Sequence, residues 1–82
     1  MTREEIIKDL NNIFIDVMED EDIKISGDTT SNDVDDWDSL NHIHLVVSIE
    51  KHFKIRFTSH EIESWKNVTE MIVDIQKRQN NA

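Results

Sequence analysis

The chain has 82 residues with no cysteine, no proline and a single glycine, Gly27. Disulfide frameworks and thiolate metal sites are therefore excluded, and sandwiches or barrels that need frequent Gly/Pro turns are disfavoured against helices. The net charge is -9, and it is concentrated: residues 16–38 hold ten acids against one base, Lys24, while the remaining eight acids are matched by eight Lys and Arg. An acidic zone of this kind repels nucleic acid and anionic membranes and steers basic proteins toward it.

Thr2 and Glu5 fit a capping box, and Ile6, Leu10, Ile13, Phe14, Val17 and Met18 then recur at helical spacing. The pattern predicts a first helix over Thr2 to Glu19. From Asp20 to Trp37 the periodicity breaks, and SGDTTSND supplies turn-formers. This connection is long for so small a domain, and long loops that persist tend to be functional. Ile23, Ile25 and Val34 are expected to pin it to the core. Asp38 is a good N-cap for a second helix reaching about His52. A short third helix, capped by Thr58 or Ser59, covers about His60 to Ser64. The fourth starts at Asn67, where Glu70 completes another capping box, and its Val68, Met71, Ile72 and Ile75 form one apolar stripe. The polar end QKRQNNA is expected to fray, most of all over residues 79–82. The predicted architecture is a single all-α domain, residues 1–82, built as a four-helix bundle with one short member.

The second helix has two apolar faces. At about 100° per residue, Leu45, Val46, Ile49 and Phe53 share one side. Leu40, Ile43 and Val47 lie nearly opposite, with Glu50 at their edge. A bundle this small rarely buries a whole helix, so the second stripe is expected to be a surface for a partner, unless the long loop folds over it. Ser39 stands in the first turn, where free backbone N–H groups and the positive end of the helix dipole favour a phosphate.

The stretch DDWDSLNHIHLVVSIEKHF resembles the signature of the acyl carrier protein family. In that family an Asp-Ser-Leu tripeptide opens the second helix, and the serine is esterified with 4'-phosphopantetheine. Asp38, Ser39 and Leu40 occupy those places here. Leu45, Ile49, Glu50 and Phe53 fit the rest of that helix, and KIRFTSHEIESWKNVTEMIVDI fits the family's third and fourth helices. The resemblance covers nearly the whole chain. It implies a carrier rather than an enzyme, with no catalytic residue. Ser39 bears the arm, whose terminal thiol holds an acyl or related group as a thioester. Asp38, Leu40, Ile43, Val47 and Glu50 then meet partner enzymes: a phosphopantetheinyl transferase, which would approach the acids at Asp35 to Asp38, and the acyl-loading and acyl-consuming enzymes. Two departures stand out: Trp37 replaces a small residue, and Asn41, His42 and His44 interrupt the family's usual acids. In these the chain is more similar to free-standing carriers of specialised pathways than to the fatty-acid carrier. The cargo stays open among fatty acyl, hydroxyacyl, aminoacyl and polyketide groups.

Other chemistries fit worse. His42 lies one turn from Ser39, but a serine hydrolase needs a Gly-rich elbow and a cleft. No histidine pair has HxxxH spacing, so no metal site is expected, and His42 and His44 read as solvated or partly packed rings. An EF-hand begun at Asp20 or Asp33 places Ile25 or Asp38 where glycine is required. Trp37 and Trp65 lack the basic patch of a nucleic-acid platform, and Trp37 is expected to anchor the loop beside Ser39. No apolar run approaches the roughly 18 residues that span a bilayer, and the opening MTREEIIKDL lacks the apolar stretch of a signal peptide. A cytoplasmic monomer without membrane insertion is expected. The rival from another class is an unmodified acidic helical adaptor that binds partners through Leu40, Ile43 and Val47.

Overall fold

Satisfying helix ends locally is the first problem a chain this short must solve, and capping side chains solve it repeatedly. The computed structural model describes residues 2–34 and 37–80. Among these, four helices form and no strand: α1 (Arg3–Met18), α2 (Ser39–Phe53), α3 (Ser59–Ser64) and α4 (Val68–Asn80). Thr2 and Glu5 close the predicted capping box on α1, and Thr58 and Glu61 close a second on α3. Helices α1 and α2 each end on a residue in the left-handed conformation, Glu19 (φ 55°) and Lys54 (φ 57°). Both end caps donate their backbone N–H to a carbonyl four residues back, Ile15 and Glu50.

The start of α4 departs slightly from the expected box. Asn67 Oδ1 accepts from the Glu70 N–H at 3.1 Å, as predicted, but the Glu70 carboxylate reaches the N–H of Lys66 rather than that of Asn67. The polar stretch expected to fray is helical through residue 80. Its Arg78 forms an ion pair with Glu61 of α3, a tertiary tie that local polarity does not reveal; Asn81 and Ala82 lie outside the described residues.

The core is a single apolar cluster. Ile6, Leu10 and Phe14 of α1 meet Leu45 and Ile49 of α2 and the stripe of Val68, Met71, Ile72 and Ile75 from α4, nearly all fully removed from water. Each side chain of this size contributes roughly 1.5–3 kcal/mol on burial. The short α3 has no buried residue of its own and is tied to α2 through His42 and to α4 through Arg78.

The long loop is pinned as expected. Ile23 and Ile25 are buried and Val34 is partly buried against the cluster. The Ile25 N–H donates to Asn11 Oδ1 at 2.7 Å. At its middle the loop runs along the start of α4: the Val68 N–H donates to the Thr29 carbonyl, and the Thr69 N–H to the Gly27 carbonyl, both at 3.0 Å. Thr69 Oγ1 donates to the same Gly27 carbonyl at 2.9 Å and accepts from Arg3 Nη2 at 3.2 Å. A side chain at residue 27 would place its first carbon 2.6 Å from Thr69 Oγ1 and against the Arg3 guanidinium. A larger residue there would push aside the flexible Arg3 guanidinium and press on Thr69 Oγ1, straining the loop's tie to α4.

Candidate functional site

Asp38 fixes the entrance of α2. Its extended backbone breaks the helix, and its Oδ1 accepts from the Asn41 N–H at 2.8 Å. Ser39 is thereby set as the first helical residue, exposed to solvent. Among the described residues its hydroxyl has no hydrogen-bond partner, and no acceptor meets the N–H groups of Ser39 and Leu40. A free hydroxyl thus sits beside two free backbone donors at the positive end of a 15-residue helix, which is where a phosphoryl group is best tolerated.

An open groove of about 570 Å³ lies beside Ser39 between α2 and α3, walled by Trp37, His42, Ile43, Ile62 and Trp65 among others. Its floor is a chain of rings. Trp37 packs edge-on against Phe14 of the core at 5.0 Å and stacks on His42 at 6.1 Å. His42 meets the edge of Trp65 at 5.9 Å, and Trp65 meets Phe57 at 4.9 Å. Hydrogen bonds fix the rings in place. The indole N–H of Trp37 can only donate, so His42 Nδ1 accepts it at 3.0 Å and the imidazole proton sits on Nε2. From there it is donated to the Ile62 carbonyl at 3.2 Å. Trp65 Nε1 donates to Asp74 Oδ2 of α4 at 2.6 Å. His42 therefore ties the loop, α2 and α3 together directly behind Ser39.

The outward stripe of α2 is exposed as its spacing predicts: Leu40 is 63% accessible, Ile43 58% and Val47 43%. On the opposite side Leu45 and Ile49 are fully buried and Phe53 packs on the core. The two carboxylates predicted for recognition are both engaged inside the fold. Asp38 caps α2, and Glu50 Oε2 accepts from the Phe57 N–H at 2.9 Å, bracing the turn that follows the helix. Of the acids expected to meet the transferase, Asp35 and Asp36 lie outside the described residues. The α3 wall is held by Glu61, whose carboxyl is lowered below its ordinary value of 4.5. The Thr58 backbone N–H is the main cause, with Arg78 assisting and partial burial opposing.

Sequence reasoning treated His42 as a solvated or partly packed ring and did not find its bridging role. A signal was present: helical spacing puts His42 on the same side of α2 as Ile49 and Phe53. Among the described residues no group of three or more His, Asp and Glu could hold a metal ion. Nor is any helix long and apolar enough to cross a membrane.

An exposed serine thus opens α2 on a four-helix frame, with an apolar stripe beside it. Solved structures place it further. The holo acyl carrier protein of Geobacter metallireducens superimposes with a TM-score of 0.85 at 37% identity, over 92% of this chain and 86% of that one. The acyl carrier protein of Thermotoga maritima gives the same TM-score at 23% identity, over 96% and 92% of the two chains, a likeness of fold alone. No family model and no curated protein matches the sequence. The chain belongs to the acyl carrier protein family.

Proposed function

We propose that the protein is a non-catalytic carrier that bears 4'-phosphopantetheine on Ser39 and presents an attached acyl or related group to partner enzymes. The observation that carries this reading is the free Ser39 hydroxyl in the first turn of α2, just after the Asp38 cap, on a frame similar to a holo acyl carrier protein. The residues present fit the group. Esterification at Ser39 needs an accessible oxygen, which is there, and the free N–H groups of Ser39 and Leu40 would favour the negative charge of a phosphodiester. The arm itself supplies a terminal thiol that holds the cargo as a thioester.

The chain's own residues perform presentation. Asp38 sets the helix start, His42 and Trp37 hold the loop behind the serine, and Leu40, Ile43 and Val47 offer an apolar stripe to enzymes that load or consume the cargo. The phosphopantetheinyl transferase would approach across the acidic loop. With no membrane-spanning helix among the described residues, the cytoplasm, where coenzyme A and such a transferase meet, is the compartment this reading implies.

Incubation with coenzyme A and a promiscuous phosphopantetheinyl transferase tests it by intact mass. Wild type should gain one phosphopantetheinyl group and a Ser39→Ala variant none. No gain by folded wild type would defeat the reading and favour the unmodified adaptor.

A further inference from the structure

The outward face of α2 does not end at Val47. Lys51 and Lys54 continue the line of Leu40, Ile43 and Val47 at helical spacing, and the chain then turns so that Arg56 joins them. Val47, Glu50, Lys51, Lys54, Ile55 and Arg56 line one open groove of about 470 Å³. All three cations are exposed, and among the described residues none has an ion-pair partner: the two ion pairs present use His52 with Asp9 and Arg78 with Glu61. The one acid in the groove, Glu50, accepts from the Phe57 N–H. Residues 39–58 thus hold three cations against one internally engaged acid, in a chain whose net charge is -9.

We propose that this groove is the far end of the docking face and seats an acidic surface of a partner protein, with carboxylates opposite Lys51, Lys54 and Arg56 and an apolar side chain on Val47. The inference rests on the carrier reading. Lys51 lies twelve residues beyond Ser39, about 18 Å along the helix, so an enzyme receiving the arm at one end can contact the groove at the other. A protein fits better than the other polyanions. Nucleic acid or an anionic membrane meets the repulsion of the whole acidic molecule, whereas a protein surface can match local sign and still place apolar atoms on Val47. The sequence is thus acidic before Ser39 and basic beyond Val47, and a polarity of this kind fixes the orientation in which a partner docks.

The test uses the chain loaded at Ser39 with an arm ending in an electrophile. The enzyme it cross-links in an extract of the native cells is purified, and the cross-linking rate is measured at low salt. A Lys51→Glu, Lys54→Glu, Arg56→Glu variant, shown by melting to be folded and by mass to be modified like wild type, should react about ten-fold more slowly, a steering effect on the encounter rate. The difference should shrink as salt is added. Reversing the facing acids of the purified enzyme to Lys should restore the variant's rate. Unchanged cross-linking by the variant, no rescue, or no cross-link from loaded wild type overturns the docking groove. So does tighter binding of wild type than variant to phosphatidylglycerol vesicles or duplex DNA without any effect on the enzyme. Failure of Ser39 to accept the arm at all is a different result and overturns the carrier reading itself.

Discussion

The two long faces of α2 are made from the same kinds of residue and live under opposite constraints. Leu45 and Ile49 have no accessible surface, whereas Leu40 and Ile43 keep more than half of theirs. The inward face is set by packing: its side chains interlock with Phe14 of α1 and Ile75 of α4 in one cluster, so changes there appear in stability. The outward face is left largely to solvent, and on the proposed carrier reading it is the surface offered to partners. On that reading stability and function are separated by half a turn of one helix, and the separation can be measured.

The largest effect is expected inward. Ile49→Ala should destabilise the domain by about 2–5 kcal/mol, since the surrounding helices cannot close the gap fully, read as a lowered urea midpoint. Next comes His42, which faces the groove. His42→Ala leaves the Trp37 N–H and the Ile62 carbonyl without their partner, a loss of about 1–3 kcal/mol. A change in tryptophan emission should accompany it, because the stacked ring leaves Trp37. The groove's other wall should respond more weakly. Thr58→Ala removes the cap of α3, about 1 kcal/mol. Ile43→Ala, on the outward face, should fall within about 0.5 kcal/mol of wild type; a cost as large as that of Ile49→Ala would erase the distinction between the faces.

Acid sharpens the same comparison at α3. Glu61 titrates below its ordinary 4.5 in the folded protein, chiefly through the Thr58 N–H. A lowered folded pKa contributes stability that is complete above the unfolded value and lost as pH falls through the folded one. Wild type should therefore shed this small contribution below about pH 4.5, while Glu61→Gln, which keeps a neutral cap, should be less acid-sensitive over that range. Urea midpoints at neutral pH and at pH values below 4.5 decide it.

Much of this frame was legible residue by residue. The box Thr2–Glu5 is local, so four-letter spacing announces it, as the Thr58–Ser59 pair announces a cap for α3, and the opposed stripes of α2 follow from helical periodicity. The loop anchors Ile23 and Ile25 stand out as isolated apolar residues among acids. What stayed hidden depends on contacts distant in sequence. His42 is partly packed, one of the two states its sequence allows, but the Ile62 carbonyl it finds across the groove lies twenty residues away. Glu50 reads as a surface carboxylate until the left-handed turn at Lys54 brings the Phe57 N–H back to it. The polar end of α4 reads as a fraying tail because its tie, Arg78 to Glu61, spans seventeen residues. In each case a polar side chain is recruited by tertiary geometry that propensity does not encode.

The most direct measurement is tandem mass spectrometry of the protein isolated from its native cells. A phosphopantetheinyl group on Ser39 is the expected result. An unmodified chain, or the group on another serine such as Ser31 or Ser59, would contradict the assignment of the start of α2 as the carrier site.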